Sequence, residues 1–142
     1  MIEILPGIRT TSSALDAERV RMDIVGQNIA NIHTTRGPDG KPFQRQQVIF
    51  ESVLRQAAND TGTAPAELRV ARVQADGRAP KLVYQPGHPD ANAEGMVAMP
   101  DINLSEEMVD LIASSRVFEA NLAVVKNSRA MALQTLAIGK RA

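Results

Sequence analysis

The chain has no cysteine and no tryptophan. Without thiols there can be no disulfide, no thiolate nucleophile and no cysteine-ligated zinc, while the redox state of the compartment stays open. Three Phe and one Tyr make up the whole aromatic complement, which leaves little to stack on nucleobases and few large anchors for a globular core. Neither sign of charge is in excess, because 16 Lys and Arg offset 16 Asp and Glu. No broad field recruits nucleic acid or an anionic membrane, so a DNA- or RNA-binding role is not expected. Long apolar runs are missing too, and the opening residues MIEILPGIRTTSSALDAERV lack the basic start and apolar stretch of a secretory signal. The usual rules then place the protein in the cytosol, unless it is exported without a cleaved signal.

Chemistry-bearing residues are equally sparse. The two histidines, His33 and His88, have no carboxylates at metal-ligand spacing, so surface or turn roles are expected. The pairs Gly40-Lys41 and Gly139-Lys140 lack the earlier glycine of a phosphate-binding loop, and no G-x-S-x-G elbow occurs. The expectation is no catalytic residue, no cofactor, no metal and no enzyme.

What the chain does have is a long uninterrupted stretch from Asn103 to Ala142. Asn103 is placed to cap its first turn with Glu106 reaching back, and the first glycine or proline after that is Gly139. Lys140 and Arg141 suit the negative end of the helix dipole. At 1.5 Å per residue such a helix is roughly 50 Å long, more than a chain of 142 residues can bury by itself.

Its side chains predict the kind of partner. Leu104, Met108, Leu111, Ser115, Phe118, Leu122, Val125, Arg129, Ala132 and Leu136 alternate steps of four and three, a heptad seam with polar breaks. A second row, Val117, Val124, Met131 and Ile138, and a third, Ala123, Ala130 and Ala137, occupy other faces. A two-helix hairpin would leave both rows in water, so neighbours on several sides are expected.

A second helix is predicted near the other end, over about Ile8 to Ile32. Ile8, Leu15, Met22, Val25, Ile29 and Ile32 fit a 3-4 spacing, with Thr11 and Glu18 as weak members, and Asp16, Arg19 and Asp23 lie opposite. Gly26 inside it costs about 1 kcal/mol relative to Ala, which suggests close approach of another helix. Asn28 and Asn31 bring amides to the helix end, where capping and turn bonds are needed.

Between the helices the texture changes. Gly37-Pro38-Asp39-Gly40 is turn chemistry, PFQRQQVIFESVL alternates like a strand, and Gln56 to Glu67 reads as a polar loop. Leu68, Val70 and Arg72 are placed on one face of a second strand, Lys81 to Tyr84 forms a third, and Gly95 to Pro100 is an extended lead into the last helix. The expected architecture is α+β: terminal helices paired as a coiled coil, with a small β-rich lobe projecting between them. The division is 1–32 and 101–142 for the helical core and 33–100 for the lobe. Pattern alone allows an assembly subunit or a soluble coiled-coil adaptor or export chaperone that binds one partner.

Two stretches carry a family resemblance. Ser13-Ala14-Leu15-Asp16-Ala17 through Asn28-Ile29-Ala30-Asn31 resembles the N-terminal motif of the flagellar axial proteins of rod and hook. The run Lys81-Leu82-Val83-Tyr84-Gln85-Pro86-Gly87-His88-Pro89-Asp90-Ala91 is similar to the proximal rod members of that superfamily. So are the later Gly95, Val97, Met99-Pro100, Glu107-Met108-Val109 and Ala113-Ser114-Ser115-Arg116-Val117-Phe118-Glu119-Ala120-Asn121. Met96 stands where an aromatic is usual, Asp101 where Asn is usual and Phe118 where Tyr is usual, so no hydroxyl bond is available at Phe118.

The resemblance implies a structural subunit of the basal-body rod, a helical tube that crosses the periplasm and carries torque from motor to hook. It also implies export through the flagellar type III apparatus, and partners that are other rod proteins and copies of itself. Subunit contacts are then expected at Leu15, Met22, Val25, Asn28, Ile29 and Asn31. On the long helix they are expected at Leu104, Met108, Leu111, Arg116, Val117, Phe118, Asn121, Leu122, Ala123, Val124, Val125, Ala130, Met131 and Leu136.

Overall fold

A computed structural model describes residues 6–54 and 66–139. In chain order it contains helix α1 (Pro6–Ala30), strands β1 (Gln46–Leu54), β2 (Ala66–Ala75), β3 (Lys81–Tyr84) and β4 (Met96–Met99), and helix α2 (Leu104–Gly139). The class is α+β, as expected.

α1 begins on Pro6, whose fixed φ and missing N–H suit a first helical position. It stops at Ala30, two residues before the predicted end. There the Asn31 amide donates to the Gln27 carbonyl at 2.9 Å, and its Oδ1 accepts from the Thr34 hydroxyl at 3.1 Å. At the start of α2, Asn103 Oδ1 accepts from Ser105 N–H at 3.0 Å, the expected cap. Glu106 reaches back to the side-chain amide of Asn103 at 3.4 Å rather than to its backbone, so only half of a capping box is built. Lys140 and Arg141 lie outside the described residues.

The helices run antiparallel, since Asn28 near the end of α1 meets Glu107 while the earlier Arg21 meets the later Asp110. Their contact does not follow the predicted seam. On α2 the buried or half-buried positions are Glu107, Asp110, Leu111, Ser114, Ser115, Phe118, Asn121, Val125, Ser128 and Ala132, whereas Leu104, Met108, Leu122, Arg129 and Leu136 are exposed. Leu111, Ser115, Phe118, Val125 and Ala132 are common to both rows. The other half of the row is shifted by one residue, or roughly 100°, onto small and polar side chains. Ser114 tolerates burial because its hydroxyl donates back to the Asp110 and Leu111 carbonyls at 2.8 and 3.1 Å.

α1 buries a wider arc than a coiled-coil partner needs. Ala17, Glu18, Ile24, Val25 and Asn28 are buried and Leu15, Met22 and Ile29 are half-buried, because β1 and β2 also pack against this helix. The β1–β2 hairpin therefore lies along α1 and does not stand clear of it. Asp16, Arg19 and Asp23 face solvent as expected. Gly26 does not mark a close helix approach among the described residues of the chain: it is exposed, and a Cβ there would meet nothing within 4 Å. Gly26→Ala should therefore raise the unfolding free energy of the purified chain by about 1 kcal/mol, read as a higher urea midpoint. A fall would mean that the position is crowded after all.

β1 and β2 pair antiparallel from Gln46↔Ala75 to Leu54↔Ala66, with a register shift at Ile49/Phe50. Ile49 pairs with Arg72 and Phe50 with Val70, so Ala71 is the extra residue of a bulge. That shift removes Arg72 from the face of Leu68 and Val70, and it is exposed. Ala66 and Glu67, expected in the polar loop, belong to β2; the remainder of that loop, 56–65, lies outside the described residues. β3 and β4 form a separate antiparallel pair, Lys81↔Met99 to Tyr84↔Met96. Among the described residues the buried apolar set is small, with Ala17, Ile24, Val25, Val97 and Ile102. Much of the closure between elements is polar.

Candidate assembly site

The junction of helices and lobe is a buried polar clasp. Glu107 is 0% exposed and Asn28 1%. The Asn28 amide donates to Glu107 Oε2 and to the Gln46 carbonyl, both at 2.9 Å, while Asn28 Oδ1 accepts from Gln46 N–H at 2.9 Å. Arg45 Nε donates to the other Glu107 oxygen at 2.6 Å and its Nη1 to Asp76 at 3.1 Å. Four segments thus meet: the end of α1, the start of β1, the residue after β2 and the first turn of α2. Every polar atom named is satisfied, the condition under which burial of charge is tolerated. Asn28 was expected to serve its own helix end; it binds β1 and α2 instead.

The clasp continues outward as alternating charges. Arg21 bridges Glu18, at 4.0 Å, and Asp110, at 3.4 Å; Asp110 also lies 3.5 Å from Arg45. On the other side Asp76 bonds Arg78 at 2.9 Å, and Arg78 lies 3.4 Å from Glu106. Burial pulls the pKa of Arg45 down, yet the hydrogen bonds and attraction of Glu107 and Asp76 outweigh it and leave the guanidinium above its ordinary value. Arg45 is a permanent cation.

The β3–β4 hairpin holds the motif that resembles the proximal rod proteins. Asp90 accepts from the Thr35 hydroxyl at 2.8 Å and pairs with Arg36, so the Tyr84-to-Asp90 turn is tied to the segment leaving α1. His88 Nδ1 accepts from the Asp90 N–H at 3.1 Å, a turn role as expected. Lys81 reaches Asp101 at 2.5 Å. Its hydrogen bond holds the Asp101 carboxyl below the usual aspartate value. A lowered folded pKa gives stability that is present above the ordinary aspartate range and lost as pH falls through the lowered value.

Gly95 closes the hairpin with φ of 76°, and a Cβ there would sit 2.9 Å from Tyr84 Cε2 and 3.1 Å from Pro86 Cβ. Gly95→Ala should therefore cost about 1–3 kcal/mol. The chain's one tyrosine, Tyr84, is packed on the site, so its fluorescence should report an earlier urea transition. An unchanged midpoint would show that the turn relaxes freely.

The expected contact residues separate into two groups. Val25 and Asn28 are buried within the chain, and Leu15, Met22, Ile29, Asn31, Leu111, Phe118, Asn121 and Val125 are half-buried. Leu104, Met108, Arg116, Val117, Leu122, Ala123, Val124, Ala130, Met131 and Leu136 are exposed. Val109, Ile112, Leu133 and Ile138 add to that surface, at 65, 52, 57 and 72% exposure. So much apolar area on one helix is what an interaction surface presents. Glu107, Arg45 and Asp76 were not foreseen as a group; the one advance signal was an Arg just ahead of a strand in an otherwise uncharged PFQRQQ segment. Among the described residues no group of His, Asp and Glu is arranged to hold a metal ion, and no helix is long and apolar enough to cross a membrane.

The helices that build this surface coincide with two family models. Residues 8–38 match the one described as "Flagella basal body rod protein", and residues 93–138 match "Flagellar basal body rod FlgEFG protein C-terminal". Both matches place the chain among flagellar basal-body rod proteins. Among curated proteins, the flagellar basal-body rod protein FlgC of Borreliella burgdorferi is 38% identical, over 95% of this chain and 97% of the relative. FlgC of Bacillus subtilis is 38% identical over 94% and 96%, and FlgC of Salmonella typhimurium 38% over 90% and 92%. The chain belongs to the FlgC family of flagellar basal-body rod proteins, and is a structural rod component.

Proposed function

We propose that this subunit builds the rod through its terminal helices, joining copies of itself and other rod proteins in a helical tube that carries torque from motor to hook. The helices, 1–32 and 101–142, form the core of that tube, and residues 33–100 form its outer lobe. Delivery is by the flagellar type III export apparatus, without a cleaved signal peptide, to the periplasmic rod. The role is neither catalytic nor cofactor-dependent, and involves no nucleic acid or membrane insertion.

The observation that carries this is the exposed apolar surface of α2. Val124 and Met131 are 50 and 59% exposed on one side, and Leu122 and Leu136 are 36 and 63% exposed on another. A helix so dressed is completed by neighbours. A soluble adaptor with one partner has no use for several such sides.

The experiment uses Ala123 and Ala130, both exposed and small enough to admit a close neighbour. Leu at both sites should block rod completion, because overpacking costs about 1–3 kcal/mol per site and the cost recurs at every subunit. Circular dichroism of the purified double variant should be unchanged, since Leu is nearly as good a helix former as Ala. Normal rods in cells carrying only that variant would contradict the crowded face.

A further inference from the structure

Glu18 is 7% exposed, and its Oε2 is covered yet accepts no hydrogen bond among the described residues. A covered carboxylate oxygen without a donor lowers stability, and native folds hold few such groups. The cation that reaches it is Arg21, whose Nη1 lies 4.0 Å away, too far for a hydrogen bond.

The surrounding charges explain why Glu18 goes short. Among the described residues three guanidinium groups, Arg21, Arg45 and Arg78, serve five carboxylates, those of Glu18, Asp76, Glu106, Glu107 and Asp110. Arg21 stands closer to Asp110, at 3.4 Å, than to Glu18. The Asp110 side chain is 38% exposed and that of Glu18 9%, so the carboxylate that water can serve holds the better share of the cation. An arrangement tuned for stability would reverse the two.

Glu18, Arg21, Val25 and Asn28 follow one another at steps of three and four, and so lie on one side of α1. Arg21 and Asn28 turn that side toward α2, where they meet Asp110 and Glu107. Among the described elements α2 packs against α1 alone. The clasp at Asn28 is tight, with bonds of 2.6 to 3.1 Å. Toward the start of α1 the polar contacts lengthen to 3.4 and 4.0 Å. There α1 is also held by β2, through Arg9 and Glu67 at 3.0 Å.

We propose that Glu18 is a release point: by leaving a carboxylate uncompensated in the helix contact, it lets α2 part from α1 beyond Asp110 while the clasp stays closed. The segments that open within a native fold are those with the least stable contacts. Such a release serves delivery, because the helices must separate before the chain can pass a narrow export channel, and this use rests on the export reading given above.

Glu18→Met removes the carboxylate, keeps the length and suits a helix. It should raise the folded-to-unfolded ratio of the full chain by about tenfold or more, read by urea unfolding. Asp110→Asn frees Arg21 for Glu18, and should be better tolerated in the wild-type chain than in one carrying Glu18→Met. Local opening is read by introduced thiols, since the chain has no native cysteine. Ser114 and Val97 are both 0% exposed; Ser114→Cys should be labelled faster than Val97→Cys, and Glu18→Met should slow the first more than the second. An unchanged or lower ratio for Glu18→Met, or equal labelling at the two thiols, would overturn the release point. Should Ser114→Cys itself unfold the chain, the urea comparison, which needs no thiol, decides. In cells the Glu18→Met chain should be exported more slowly than wild type, and export at the wild-type rate despite the higher stability would overturn the use in delivery. Wild-type chain exported equally well by cells lacking the flagellar export apparatus would instead overturn the export reading and leave the release point standing.

Discussion

Glu107→Ala should destabilise the purified chain by about 3–5 kcal/mol, the usual result of removing one partner from a buried ion pair. The loss leaves Arg45 Nε without its 2.6 Å acceptor and the Asn28 amide with one acceptor instead of two. Arg45 cannot escape by neutralising itself, because a guanidinium stays charged at any working pH. Against a typical total of about 5–15 kcal/mol, the change is large enough to populate unfolded chain at equilibrium. Glu107→Gln keeps the shape and one accepting oxygen, and should fall between. Urea unfolding with an unchanged slope would read both values. A loss below about 1 kcal/mol for Glu107→Ala would mean that the clasp is not what joins helices to lobe.

Leu122→Asp should do the reverse, leaving the monomer alone and stopping assembly. Leu122 is 36% exposed, so an aspartate there can reach water in the isolated chain. Its effect on monomer stability should stay within about 0.5 kcal/mol, as for ordinary surface positions. In a rod whose neighbours cover that flank, the same carboxylate is buried in apolar contact without a partner, at a cost of several kcal/mol per subunit. Cells with this variant as their only copy should not swim, while the purified variant keeps its helicity. Swimming at the normal rate would place Leu122 in solvent within the rod.

These two substitutions separate what was legible in the sequence from what was not. The long helix was legible because neither Gly nor Pro interrupts it before Gly139 and Asn103 caps it. Leu111, Phe118, Val125 and Ala132 are half-buried, as apolar periodicity alone suggests. Glu107, Ser114, Asn121 and Ser128 were passed over, and the exposed Met108, Leu122 and Arg129 taken instead, because no rule of hydrophobic spacing anticipates a seam filled with polar side chains. Their burial depends on partners elsewhere: Glu107 is bonded across 62 residues to Arg45 and across 79 to Asn28. Pairing over such separations leaves no periodic trace. The bulge at Ala71 is similarly silent, for it moves Arg72 off the predicted face without any Gly to mark it. At Gly26 local propensity misled, as the missing side chain there makes room for nothing within the chain.

The resemblance in Tyr84-to-Asp90 and the helical motifs reached further than periodicity, and the 38% identity to FlgC over 95% of the chain fixes the family. What the structure adds is a division of labour. A polar clasp sets the helices against the lobe, and the exposed sides of α2 remain available for neighbours.

The most direct test of that division is a density map of the rod in basal bodies isolated from cells that make this chain. The expected map places α1 and α2 within the tube wall, with the Val117-to-Ile138 row covered by a neighbouring helix and the 33–100 lobe on the outside. A map with the chain in place but that row facing solvent, or rods formed without the chain, would contradict it.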